Sequence, residues 1–179
     1  MKILRELELS GCYEIELFQH TDERGVFVKP WSTRDFEKVG FNFKAREIFW
    51  STSKRGSIRG MHFQSPPHEH QKMVSCQQGS VCDVLLDLRG NSPTYGQAAS
   101  LELSEQRGNA AYIPIGIAHG FQSLTAKSQV LYITSYEHHP ESDQGIHYES
   151  FSFKWPITKS QISERDKEHP PLSEFNTPF

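Results

Sequence analysis

Ten short runs rich in β-branched or aromatic residues follow one another along the chain, with turn residues between them. They are YEIELF, GVFVKPW, EIFWSTS, SIRGMHFQ, KMVSCQ, SVCDVLLDLR, ASLELS, AAYIPI, GFQSL and QVLYITS. Such residues fit a pleated, half-buried surface, and the breaks between them are too frequent for long helices. Their spacing predicts an all-β chain, an antiparallel sandwich or barrel. One helix fits the pattern: Ser32 caps STRDFEKV, Asp35 completes a weak capping box, and Gly40 closes it. From about His138 the chain turns polar, with prolines at 140, 156, 170, 171 and 178. That stretch reads as a tail laid over the sheet. The expectation is one domain over 1–179, with a core at about 12–136 and an extension at about 137–179.

With 179 residues the chain is long enough for one sizeable core. A formal net charge of −3 is too small to argue for nucleic acid or a membrane surface as partner. No apolar run approaches a membrane span. The opening MKILRELELSG alternates charged and apolar residues, unlike a signal peptide. Three cysteines, Cys12, Cys76 and Cys82, show no CxxC spacing, so a reduced cytoplasm is the expected setting.

PPHEHQKMVSCQQG, residues 66–79, carries the first chemical signal. His68 and His70 form an HxH pair, a common way to hold a metal. The stretch also reads as a hairpin. With Gln78-Gly79 as a two-residue turn, Val74 faces Asp83 and Lys72 faces Leu85, all on one face. This region resembles the cupins, small β-barrels whose metal-binding members carry G(x)5HxH(x)3–4E(x)6G and G(x)5PxGxxH(x)3N. The second motif is matched by Gly108, Pro114, Gly116 and His119, with Ser123 in place of Asn. The first fits only between Gly60 and Gly79, which puts Pro66 and His68 at the His positions and Lys72 at the Glu position. His70 is then out of register and reads as a solvated loop residue. An ammonium offers no lone pair where a carboxylate should coordinate. The expectation is a cupin-type barrel with no metal and no cofactor.

A narrower resemblance runs from about Phe18 to Asp166. The chain is similar to the dTDP-4-dehydrorhamnose 3,5-epimerase family through DERGVF (22–27), SIRGMHFQ (57–64), PPHEHQKMV (66–74), DVLLDLR (83–89), SPTYG (92–96), IPIGIAHGF (113–121), LYITS (131–135), GI (145–146), WPI (155–157) and ISERD (162–166). The resemblance implies inversion of carbons beside the ketone of a nucleotide-linked 4-keto-6-deoxy sugar, in deoxysugar and surface-polysaccharide biosynthesis. It assigns the base to His62, held by Asp166, and the acid to Tyr132. Lys72 would stabilise the enolate from the former metal position. A histidine suits the base because its ordinary pKa lies near neutrality, and an ammonium can neutralise an enolate oxygen much as a metal would. Asp83 would orient Lys72, and His119 would line the pocket. Arg24 and Arg59 would bind the diphosphate, since a guanidinium meets phosphate oxygens bidentately. Phe27, Lys29, Glu47 and His138 also fall at substrate-binding positions. Arg24 would serve the partner's site, the N-terminal strands being exchanged in a homodimer.

Taken singly, His119 and Asp83 read more simply as structural residues. For His62, Lys72, Tyr132 and Asp166 the joint spacing favours catalysis. Strict strand alternation, however, puts Arg59 and His62 on opposite faces, so a bulge or the reach of the arginine has to reconcile them. Departures from the family pattern cluster on the base-reading positions. Lys29 replaces Glu, Glu47 and Phe49 replace Gln and Asn, and His138 replaces Tyr; Ile115 and Ile133 replace a Glu and a Lys. They point to another nucleotide or sugar on the same chemistry. Alternatives are a 3-mono-epimerase, a ketoisomerase, or a non-catalytic sugar-binding cupin.

Overall fold

The computed structural model describes all of residues 1–179. Its strands are β1 (Lys2–Glu6), β2 (Tyr13–Glu16), β3 (Phe18–Asp22), β4 (Gly25–Lys29), β5 (Glu47–Lys54), β6 (Ile58–Gln64), β7 (Lys72–Gln78), β8 (Ser80–Asp87), β9 (Ala98–Ser104), β10 (Asn109–Ile113), β11 (Ile117–Ser123), β12 (Lys127–Thr134) and β13 (Asp143–Gly145). Helices are limited to α1 (Thr33–Lys38), α2 (Glu164–Lys167) and a single 3-10 turn at Leu172–Glu174. No helix is long and apolar enough to cross a membrane. One sheet has the order β1-β2-β10-β7-β12-β5 and the other β13-β6-β11-β8-β9, while β3 and β4 pair only with each other. All ladders within these sheets are antiparallel. The two large sheets face each other as in a jelly roll, and no ladder closes them into a continuous barrel.

Alternation along each strand sorts side chains between three apolar layers. Val74, Ala111, Val130 and Tyr132 of the six-stranded sheet meet Val81, Leu85, Leu101 and Phe121 of the five-stranded one in the inner core. Their neighbours Met73, Tyr112 and Ile133 point outward and are roofed by Phe36, Phe41 and Phe43. Phe41 lies flat on Tyr112, centroids 4.0 Å apart. On the other outer face, Met61, Phe63, Val84 and Leu86 are covered by Ile146, Phe151 and Trp155 of the tail. The tail therefore packs as expected, each large apolar side chain contributing about 1.5–3 kcal/mol on full burial. β1 extends the six-stranded sheet at residues before the expected core boundary at 12.

Two local expectations are corrected. β7 and β8 do not form a hairpin. Val74 lies opposite Ala111 and Tyr132, and Lys72 opposite Ile113 and Thr134. Asp83 lies opposite Phe121 and Leu101. The chain crosses between sheets at Gly79, whose φ of +73° suits glycine. A Cβ there would stand 2.2 Å from Thr125 Oγ1, so this turn is pinned against the 125–127 loop. Helix α1 forms where expected, and the Gly40 amide donates to the Glu37 carbonyl. Ser32 occupies the N-cap, but its side chain makes no capping bond. The helix is held by its Phe36 face.

Candidate active site

A cavity of about 490 Å³ opens between the two sheets. β6 and β11 bring His62, Arg59 and His119 to it; β5, β7 and β12 bring Glu47, Phe49, Lys72, Tyr132 and Thr134; the tail adds His138, Asp143 and Arg165. The alternation problem is resolved by a bulge. His62 lies opposite His119 and Arg59 opposite Phe121, so three steps on β6 match two on β11. The extra residue falls at Gly60–Met61. Gly60 has φ +130°, and a Cβ on it would come 2.4 Å from the Gly120 Cα. Two glycines at this crossing let both His62 and Arg59 face inward.

His62 Nε2 lies 2.9 Å from Asp166 Oδ1. The carboxylate comes from α2, whose N-cap Ser163 accepts the Asp166 amide at 3.1 Å. The bulged Gly60 amide donates to the other carboxylate oxygen at 3.2 Å. Burial works against the charge of Asp166, but the bonds from His62 and Gly60 prevail and hold its carboxyl below the ordinary range. An anchored anion on Nε2 leaves Nδ1 as the free ring nitrogen of a neutral His62.

Lys72 is buried, and its ammonium donates to the His62 carbonyl at 3.0 Å. Burial pushes its pKa down to about 8, against the opposing pull of Asp143 and Asp83. Asp83 does not orient it through a direct bond. The two belong to different sheets, and Asp83 Oδ1 instead meets His119 Nε2 at 2.7 Å. Burial raises the Asp83 pKa, with His119 pulling it back. Tyr132 is buried too, stacked on Phe49 at 4.7 Å and edge-on to His119 at 5.8 Å. Burial, foremost, drives its hydroxyl well above the ordinary range, which keeps the proton on the oxygen.

Two of the departures from the family pattern, Glu47 and His138, are joined to each other. Glu47 accepts from the His138 amide at 3.0 Å, and His138 Nε2 reaches Asp143 at 3.1 Å. Arg165 closes the set on Asp143 at 2.7 Å. The sequence singled out neither Asp143 nor Arg165 as a site residue, although Arg165 lies within the ISERD stretch. Arg24, Phe27 and Lys29 do not join the cavity. They lie on the β3–β4 ribbon, where Arg24 pairs with Asp22 at 2.6 Å and Lys29 sits 5.5 Å over Phe18. Arg59 binds Ser53 Oγ at 3.0 Å.

The expectation for His70 is corrected as well. It is no solvated loop residue: it lines the cavity, and both ring nitrogens are buried without a partner. Burial and the Lys72 charge push its pKa down to about 3. The 65–71 loop folds inward because Gln64 ties it to 137–139, donating to the His68 and Glu137 carbonyls and accepting from the His139 amide. His68 turns away, bonded to Ser142 and stacked on His139 at 3.5 Å. The HxH pair is split: its first histidine leaves the cavity and its second faces it.

The family model described as dTDP-4-dehydrorhamnose 3,5-epimerase matches residues 6–174. A protein of that name from Mycolicibacterium smegmatis is 35% identical over 95% of this chain and 86% of its own length. A dTDP-4-dehydrorhamnose 3-epimerase from Streptomyces niveus is 34% identical, covering 92% of this chain and 81% of its own. Among solved structures, dTDP-6-deoxy-D-glucose-3,5-epimerase from Legionella pneumophila, in complex with dTDP-4-keto-L-rhamnose, superposes with a TM-score of 0.90 at 31% identity, covering 96% of this chain and 94% of that one.

Proposed function

Because the chain belongs to the dTDP-4-dehydrorhamnose 3,5-epimerase family, we propose that its cavity inverts carbons beside the C4 ketone of a nucleotide-diphosphate-linked 4-keto-6-deoxy sugar. The observation that carries this reading is the division of the acid–base pair between facing sheets. His62 stands on β6 of one sheet and Tyr132 on β12 of the other, both lining one cavity. A sugar ring held between them meets a base on one face and an acid on the other, which is what inversion requires. His62 Nδ1 takes the proton at C3 or C5. The electron pair moves onto the C4 oxygen, where the Lys72 ammonium offsets the charge. Tyr132 then gives its proton to the carbon from the opposite face, and solvent returns both residues to their starting states. The test is NMR of a dTDP-linked 4-keto-6-deoxyhexose incubated in deuterated solvent, which reads deuterium at C3 and C5 and the configuration of each. Both hydrogens flank the same ketone. Label at C3 alone would mark a 3-epimerase, and no label at either carbon would overturn the reading.

Lys72→Ala is expected to slow this exchange by about 10²–10³, the loss typical of one oxyanion donor. Exchange at the wild-type rate would remove Lys72 from the mechanism.

The nucleoside end is read by Glu47, Phe49 and His138, with Lys29 and Arg24 supplied by a second subunit. The β3–β4 ribbon pairs with no other strand of its own chain and exposes Phe18, Val26 and Phe27. Edge strand β5 exposes Ile48 and Trp50. Both features support a homodimer with exchanged N-terminal strands, in which Arg24 and Arg59 meet the diphosphate from two chains. Because Glu47 and His138 are tied into one cluster, dTDP is expected not to be the tightest-binding of dTDP, CDP, GDP and UDP. Calorimetry across the four decides this, and a clear preference for dTDP would mean that the cluster reads thymine.

A further inference from the structure

His169 sits beside the His62–Asp166 pair, and the mechanism has no use for it. Its Nε2 is buried without a hydrogen-bond partner and lies 3.8 Å from Asp166 Oδ1, the oxygen that His62 Nε2 meets at 2.9 Å. The His62 and His169 rings stand at 77° to each other with centroids 5.6 Å apart. One ligand atom from each of His62, Asp166 and His169 falls within 4.8 Å of the other two. A tetrahedral zinc with bonds of about 2.0–2.1 Å holds its ligands roughly 3.3–3.5 Å apart. The two distances to Asp166 bracket that spacing, so small side-chain rotations bring the three onto one ion. Two imidazoles and a carboxylate are a common zinc set that leaves a fourth position for water. The carboxylate is already fixed by the Gly60 amide, and the second histidine leans on Gly145, where there is no Cβ to displace it.

We propose that His62, Asp166 and His169 form an inhibitory zinc site built onto the catalytic base. The inhibition follows from the tautomer. In the working enzyme Nε2 carries the proton that points at Asp166, and Nδ1 has the lone pair. Zinc bound at Nε2 displaces that proton, and a neutral imidazole then holds it on Nδ1. The nitrogen that must accept the sugar's proton is already protonated. No proton is gained or lost by the neutral ring; the metal exchanges one tautomer for the other. The metal is a regulator of this site and takes no part in turnover.

This inference rests on His62 as the base, so binding and activity are measured separately. Zinc chloride is titrated into chelator-treated full-length protein by calorimetry, and epimerisation is followed by NMR in parallel. The expected result is one zinc per chain, inhibition over the same concentration range, and recovery on adding chelator. His169→Ala should weaken zinc by at least the roughly 10–100-fold that loss of an outer-shell metal partner costs, with turnover retained. Cobalt in place of zinc should give the visible absorption of a four-coordinate site in wild type and not in His169→Ala. Zinc binding of equal strength in wild type and His169→Ala would overturn the site. So would inhibition that persists unchanged in that variant. Binding at this site without inhibition would overturn the inhibitory role, and with it His62 as the base.

Discussion

Replacing His62 with alanine is expected to abolish exchange of the sugar's C3 and C5 protons with deuterated solvent. The other basic groups of the cavity are engaged elsewhere: Glu47, His138 and Asp143 are bonded into one cluster. His70 shares the cavity, but burial and Lys72 hold its pKa near 3, so it is a poor proton acceptor at neutral pH. His119 is bonded to Asp83. The carboxylate of Asp166 is itself held low, and it does not line the cavity. The partly exposed ring is not part of an apolar core cluster, so the variant should fold. His62→Asn keeps much of the ring's volume and hydrogen bonding and should be equally inactive. NMR of recovered substrate reads the label directly, and exchange at the wild-type rate in either variant would move the base elsewhere.

Tyr132→Phe is expected to separate the two halves of the reaction. The ring keeps its stack on Phe49 and its edge against His119, so stability should change little. The variant loses only the hydroxyl, whose proton burial had kept firmly in place. Loss of a positioned general acid typically costs roughly 10²–10⁴ in rate. Abstraction by His62 is untouched, and the enolate still has Lys72. His62 then returns deuterium from the face it attacked. Recovered sugar should therefore carry label with configuration retained, while little inverted product forms. If the variant inverts as fast as wild type, Tyr132 is a packing residue, and a water or His119 is the acid.

The strands were legible because alternation leaves a strong trace: Met73 and Val74, or Tyr132 and Ile133, sort to opposite layers as a period of two demands. Strand partners were not. Gln78-Gly79 looks locally like a hairpin turn, and only the packing of Thr125 and Lys127 around Gly79 shows that the chain changes sheets there. The bulge that turns Arg59 inward is set by Gly60 pressing on Gly120, a contact between strands distant in sequence. His70 was misplaced because local polarity resembles that of a surface loop, whereas the Gln64 bonds that fold the loop inward are tertiary. Asp166 was found through family resemblance alone. Nothing within ISERD marks it, since its partner lies 104 residues away.

The tail that carries Asp166 is joined to the five-stranded sheet by the β13–β6 ladder, by a parallel bridge from Gln161 to Ser57 just before β6, and by aromatic contacts of Phe175 and Phe179 on Phe63. Apart from β13, which pairs with β6, it is a late-sequence layer resting on the outer face of the five-stranded sheet. Local opening of such a layer takes less free energy than melting the sheets. On warming, the enzyme should then lose its working histidine before it loses its fold: turnover declines while the sheets still give their native far-ultraviolet signal, and cooling restores both. The upper temperature limit of this activity is then expected to follow the grip of the layer that carries Asp166 rather than the melting of the sheets.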